Sequence, residues 1–174
     1  PDSVGRVLPG VDLAVFGADG SRVPAGETGR LFILSEGAFE GYTGEDSAEE
    51  IDGYLSIGDA GRIDEDGYVY VEGRADDMVV VGGENVYPIE VEETVMRVEG
   101  VREVAVTGLP DEEFGQVLAA FVVGDATEEA VLEACRSSLA SYKVPRRVEL
   151  LDELPRTATG KVLTRELVAR FEKE

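Results

Sequence analysis

The spacing of apolar positions along the chain changes once, near residue 75. Before that point the apolar runs are short and lie between turn residues. Val11-Asp12-Leu13-Ala14-Val15-Phe16 and Arg30-Leu31-Phe32-Ile33-Leu34 have strand length and are bounded by Gly10, Gly17, Asp19-Gly20 and Gly29. Tyr68-Val69-Tyr70-Val71 alternates aromatic and β-branched residues directly after the turn dipeptide Asp66-Gly67. This half predicts a small all-β unit of barrel-like form.

Beyond Gly73-Arg74 the pattern becomes mixed. Met78-Val79-Val80-Val81 predicts a strand ending at Gly82-Gly83, and Pro88 then suits the first turn of a helix, where its missing N–H costs nothing. Glu90, Glu92 and Glu93 fall in the early turns, favourable against the helix dipole. Val91, Val95 and Val98 make one apolar stripe, and Gly100 ends it. Two strands are predicted at Val101 to Leu109 and Val117 to Val123. Thr127 then caps a helix whose Val131, Cys135 and Leu139 share a face, and a last helix starts near Thr164. Cys135 is therefore expected in the core rather than as a reactive thiol. The second half is predicted as α+β, joined to the first through the polar stretch Glu72-Gly73-Arg74-Ala75-Asp76-Asp77.

Composition narrows the function. The 174 residues carry 16 Lys+Arg against 37 Asp+Glu, a net charge of −21 with no histidine. Such a field repels phosphate backbones, so nucleic acid is not an expected partner, and no apolar run approaches the ~20 residues of a spanning helix. With 43% hydrophobic residues the chain has enough apolar surface to fold. Without histidine, Ser-His and Cys-His catalytic pairs and imidazole metal sites are excluded within this chain. One cysteine and no signal-like start fit a cytoplasmic location, and a first residue of Pro1 fits a piece of a longer protein. The surplus acid reads as adaptation to high salt or as genome bias. One window departs from it: Lys143 to Arg165 holds six basic residues against three acidic ones.

Four glycine-marked stretches concentrate polar chemistry. In Gly53-Tyr54-Leu55-Ser56-Ile57-Gly58-Asp59 the aspartate either accepts hydrogen bonds from ribose hydroxyls or belongs to an ordinary turn. Gly73-Arg74 with Asp76 and Asp77 is either an ion-paired turn or a hinge bearing a ligand-binding arginine. Gly82-Gly83-Glu84-Asn85 either lets a ligand approach the backbone or simply turns into the helix. In Pro155-Arg156-Thr157-Ala158-Thr159-Gly160-Lys161 a phosphate-loop reading fails, because Pro155 and Val162 stand where glycine and Ser/Thr are needed. What remains is a loop of small hydroxyl residues presenting one of only three lysines, a compact charge suited to a carboxylate and a phosphoryl group.

Taken in order, these stretches resemble the adenylate-forming enzymes: acyl-CoA synthetases, luciferases and the adenylation domains of peptide synthetases. Gly53 to Asp59 is similar to the family's Gly-aromatic-x-x-Thr-Gly-Asp motif, with Ile57 in place of the usual threonine. Asp64-Glu65-Asp66-Gly67-Tyr68 and Gly73-Arg74-Ala75-Asp76-Asp77-Met78 resemble the segments that follow it. Gly82 to Pro88 resembles the form common in fatty-acyl-CoA synthetases, and Pro155-Arg156-Thr157 with Gly160-Lys161 the carboxy-terminal lysine motif. The resemblance implies residues 1–74 as the last β subdomain of a large AMP-binding domain and residues 75–174 as a mobile carboxy-terminal lid. It implies a ligase that joins a carboxylic acid to CoA through an acyl-adenylate, using ATP, releasing pyrophosphate and then AMP. Asp59 and Arg74 would bind nucleotide, Asp77 would be the hinge, Lys161 would be catalytic, and Gly82, Gly83 and Glu84 would line the CoA channel. Neither the family's Pro-Lys-Gly phosphate-binding loop nor its acyl pocket is found here, and the Mg2+ site is expected outside this chain. The missing amino-terminal domain is thus the expected partner, and the chain alone is expected to be inactive. A peptide-synthetase-type domain loading a carrier protein and a non-catalytic lid-fold module are the alternatives.

Overall fold

A computed structural model describes residues 3–35 and 49–171. The chain forms two compact units, Pro1–Asp76 and Asp77–Glu174, each of which has its own core.

The first unit is an antiparallel sheet of β1 (Gly5–Arg6), β2 (Val11–Phe16), β3 (Gly29–Ser35), β4 (Glu50–Ile51), β5 (Tyr54–Ile63) and β6 (Tyr68–Arg74). The strand order is β1-β6-β5-β3-β2, with β4 paired to β5. The sheet is open: the outer strands β1 and β2 do not pair among the described residues, so the barrel-like expectation holds only as a half-barrel. Alternation along β2 sends Ala14 and Phe16 inward, where they meet Phe32 and Tyr54. The rings of Phe16 and Phe32 pack edge to face at 5.1 Å, and Phe16 and Tyr54 do so at 5.9 Å. The buried Tyr54 keeps its hydroxyl satisfied by donating to Asp12.

In the second unit β7 (Val79–Val81) and β8 (Glu84–Val86) form a hairpin, followed by α1 (Pro88–Val95), β9 (Val101–Asp111), β10 (Gly115–Gly124), α2 (Glu128–Ser138), β11 (Arg147–Leu151) and α3 (Thr164–Phe171). The central strand β10 pairs antiparallel with β9 and parallel with β11. Its period of two divides the core. Leu118, Ala120 and Val122 face one cluster with Val91 and Val95 of α1 and Val131 and Cys135 of α2. Val117, Ala119, Phe121 and Val123 face the opposite cluster with Leu154 and Leu167 of α3. A strand buried on both faces must be apolar at every position, which is how Val117 to Val123 reads. Pro88 stands at the start of α1, and the Thr127 side chain caps α2 by accepting from the Ala130 N–H at 3.3 Å. Cys135 is in the core as expected, and burial pushes its thiol pKa up.

The mixed α+β class is present, and three local readings are corrected. Gly58-Asp59 is not at a turn after a short strand but inside the ten-residue β5, because the strand continues through Ala60 to Ile63 against β6. Gly82-Gly83 does not lead directly into the helix: it turns back into β8, whose Val79–Val86 and Val81–Glu84 pairings close a hairpin first. Arg147–Leu151 is a strand that the apolar pattern does not announce. No helix among the described residues is long and apolar enough to cross a membrane.

Candidate functional site

Asp59 and Arg74 are directly opposed in the β5–β6 register. The Arg74 guanidinium lies across Gly58 and donates through Nη1 to Asp59 Oδ1 at 3.1 Å and to the Ile57 carbonyl at 3.4 Å. The backbone at 58 favours glycine, and any side chain there would also push the Arg74 guanidinium aside. The φ of Gly58 is +76°, and a Cβ there would come within 2.5 Å of Arg74 Nη2. The Ser56 hydroxyl braces the same backbone by accepting from the Gly58 N–H at 3.2 Å. Side-chain exposures of 31% for Asp59 and 54% for Arg74 leave both groups reachable from solvent. The structure thus brings two predicted nucleotide ligands together, as a cross-strand ion pair and not as parts of two separate turns. Asp64 plays a local part: it accepts from the Tyr68 and Asp66 N–H groups and the Tyr70 hydroxyl, and those bonds, the Tyr68 one first, hold its pKa below the usual carboxylate value.

The remaining predicted residues belong to the second unit. Asp77 ends the short 3-10 turn Ala75–Asp77. Its charge is felt by Glu92, whose pKa is raised first by burial, with Asp77 adding to the rise and the Val106 N–H opposing it through a 2.8 Å bond. Glu92 is a structural participant that sequence reading treats only as an early-turn acid; its spacing of four residues from Pro88 and three from Val95, both buried on α1, was the available signal. Gly82 and Gly83 form the tip of the β7–β8 hairpin, with Gly82 donating to the Phe114 carbonyl at 3.0 Å, and Glu84 leaves the tip exposed to solvent. Arg146 stacks on the same Phe114, its guanidinium carbon 4.2 Å from the ring centroid.

Lys161 sits on a short ribbon that begins at the buried Leu154. The Leu163 N–H donates to the Pro155 carbonyl at 2.8 Å, and the Thr157 N–H to the Lys161 carbonyl at 2.8 Å. The hydroxyls of the loop turn inward: Thr157 Oγ1 accepts from the Lys161 N–H at 3.1 Å and lies 2.9 Å from Thr159 Oγ1. The backbone of Lys161 is therefore fixed while its side chain is exposed. Among the described residues its ammonium has no hydrogen-bond or ion-pair partner, whereas Lys143 is tied to Glu90. Two open grooves also mark this unit. One of about 730 Å3 is lined by Arg146, Arg147, Glu149 and Arg170, and one of about 550 Å3 by Ile89, Glu92, Met96 and Arg156. Neither includes any predicted site residue. Those residues lie on open surfaces, which suits contacts completed by something outside the chain.

Residues 90–161 match the model of the AMP-binding enzyme C-terminal domain. A long-chain-fatty-acid–CoA ligase of Mycobacterium tuberculosis is 42% identical over 167 residues, covering 92% of this chain and 33% of the ligase. A 2-succinylbenzoate–CoA ligase of Bacillus cereus is 44% identical over 154 residues, covering 86% of this chain and 32% of that enzyme. Among solved structures, ATP-bound MatB from Rhodopseudomonas palustris superposes with a TM-score of 0.83 at 37% identity, over 99% of this chain and 36% of MatB. The o-succinylbenzoate CoA synthetase of Bacillus subtilis, in complex with its acyl-adenylate intermediate, gives 0.88 at 32% identity, over 95% of this chain and 35% of the synthetase. The chain spans about a third of the length of the curated relatives it matches. A family-model match, ligase relatives and adenylate-forming structural neighbours agree, and the chain belongs to the AMP-binding, adenylate-forming enzymes, in the portion that carries their C-terminal domain.

Proposed function

We propose that this chain is the carboxy-terminal part of an ATP-dependent acid–thiol ligase that converts a carboxylic acid and CoA to an acyl-CoA through an acyl-adenylate. The observation that carries the reading is Lys161: an exposed ammonium without a partner among the described residues, on a loop whose backbone is held by its own hydroxyls. A cation so presented costs nothing to detach from a neighbour before it meets a substrate.

In the first half-reaction a carboxylate oxygen attacks the α-phosphorus of ATP, the bond to pyrophosphate breaks, and an acyl-adenylate forms. Lys161 orients the carboxylate and stabilises the charge that develops on the α-phosphoryl oxygens. Asp59 accepts hydrogen bonds from the ribose hydroxyls, and Arg74 holds Asp59 in place while its other donors face the nucleotide. Mg2+ would neutralise phosphate charge in this step, held by ligands in the remainder of the longer enzyme. In the second half-reaction the CoA sulfur attacks the acyl carbon and the bond to AMP breaks. Gly82, Gly83 and Glu84 line the passage of the pantetheine arm, since a Gly-Gly tip brings backbone, not side chains, against a narrow ligand. Residues 1–74 close the large nucleotide-binding domain and residues 75–174 form a mobile lid that pivots at Asp77 between the half-reactions. We assign the reaction to the cytoplasm, where ATP and CoA are both available.

The test is made in the longer enzyme that contains this chain. Lys161→Ala is expected to slow acyl-adenylate formation by about 100- to 1,000-fold while thioester formation from supplied adenylate changes only a few-fold. Equal losses in the two half-reactions would remove Lys161 from the proposed role.

A further inference from the structure

We infer that Arg156 is a positioning residue that fixes the shape of the Lys161 loop by gripping two acceptors with one guanidinium. Its Nη1 donates to the carbonyl of Gly160, the residue directly before Lys161, at 2.7 Å. Its Nη2 pairs with the Glu103 carboxylate on β9. One end of the grip is therefore the loop tip and the other is a strand of the sheet.

The ribbon needs such a grip. Arg156 and Val162 form a single isolated antiparallel bridge, and a two-stranded ribbon of this length is marginal in water by itself. Its root is anchored by the buried Leu154 and by Val162, which packs against the α3 side of the core. The tip, from Thr157 to Lys161, belongs to no apolar cluster; it closes on itself through the Thr157 N–H to Lys161 carbonyl bond, the Gly160 N–H to Thr157 carbonyl bond and the hydroxyl bonds, and Arg156 is what ties it to the sheet. The guanidinium is planar, with its donors in a fixed fork, so bonding Gly160 and Glu103 together sets the direction of the peptide that carries Lys161. A lysine at 156 would keep the charge and lose the fork. Arg156 and Glu103 are 43% and 42% exposed, and exposed pairs of this kind contribute little to global stability. Their loss should loosen the tip without unfolding the unit. Glu103 lies 53 residues from Arg156 in sequence.

The catalytic consequence rests on the role proposed for Lys161, and the experiment separates the two. The first readout needs no assumed reaction. A lysyl endopeptidase cuts after lysine, and the chain has only Lys143, Lys161 and Lys173, so cutting at Lys161 is easily assigned. Arg156→Gln and Glu103→Ala are each expected to raise the rate of that cut about fivefold, with the double variant no faster than either single one and the cut after Lys143 unchanged. Melting temperatures should stay within about 2 °C of the parent. Cutting after Lys161 at the parental rate in both variants overturns the grip. The second readout uses the longer enzyme. Arg156→Gln is expected to lower kcat for acyl-adenylate formation about tenfold, with KM for acid and ATP within about twofold and Arg156→Lys only partly restoring the rate. If Lys161→Ala cripples that step while Arg156→Gln runs at the parental rate, the positioning role is wrong. If Lys161→Ala itself has no effect, the proposed reaction role fails, and faster cutting in the two variants still supports the grip.

Discussion

Glu92 shows how much one side chain can hide from a sequence reading. In Pro88-Ile89-Glu90-Val91-Glu92-Glu93 it looks like one of several acids on an exposed helix start, and its neighbours behave that way. The fold instead turns it toward β9, where it receives the Val106 N–H at an edge strand that would otherwise expose that donor. Burial raises its pKa above the ordinary 4.5, and Asp77 adds to the rise. A carboxyl with a raised folded-state pKa contributes stability below its unfolded value, and that contribution is lost as pH rises through the folded one. Glu92→Gln keeps an oxygen for Val106 and removes the charge. Thermal unfolding of the two proteins is therefore expected to coincide near pH 4 and to diverge toward pH 7, with Glu92→Gln the more stable. A gap independent of pH would contradict the assignment. Asp59 and Arg74 were legible at the opposite extreme, because glycine before Asp59 and glycine before Arg74 mark both as special. Their direct pairing was not, since it depends on the register of two strands with a shift between Ala60 and Gly61.

The strand β10 and the helices on its two faces were the most legible elements, and the reason is physical. A strand covered on both sides has to be apolar at successive positions, and Val117 to Val123 is continuous in that respect. The stripes Val91–Val95 and Val131–Cys135 report helices with one buried side. β11 was missed because its residues, Arg147-Val148-Glu149-Leu150-Leu151, alternate imperfectly and its partner β10 is remote in sequence. β5 was cut short because Gly58 and Gly61 look like strand ends, while the sheet tolerates them at a positive φ and at a register shift. The two-sided packing of β10 makes α3 essential although it has only eight residues. Leu167 has no exposed surface and meets the Val117–Val123 face. Leu167→Ala is expected to lower the stability of the second unit by about 2–5 kcal/mol in urea unfolding, with the slope against denaturant unchanged. Leu150→Ala, at a residue 48% exposed, should cost much less. Equal effects would mean that α3 does not seal that face.

The change of period near residue 75 corresponds to the boundary between the compact units at Asp76 and Asp77. The net charge of −21 said little about mechanism, since 16 acids against 5 bases in residues 1–75 and 21 against 11 in residues 76–174 spread it over both halves. Its one useful exception, the cationic window from Lys143 to Arg165, contains both Lys161 and Arg156. The connection itself bears on the proposed alternation. β6 ends at Arg74 and β7 starts at Val79, and the Ala75–Asp77 turn between them is three residues long with no buried side chain. A segment this short can reorient a following domain only through large φ and ψ changes at a few residues. Proline at 77 locks its own φ near −65° and drives Asp76 out of helical conformations, so it removes the freedom a pivot needs. In the longer enzyme, Asp77→Pro is expected to preserve one half-reaction and to lower the overall rate of acyl-CoA formation by at least about tenfold, whereas Asp77→Ala, which keeps the backbone free, stays within a few-fold. Asp76→Pro tests the neighbouring position of the same turn. Overall rates at the parental level in both proline variants would place the pivot elsewhere, and loss of both half-reactions together would point to a damaged fold instead of a blocked rotation.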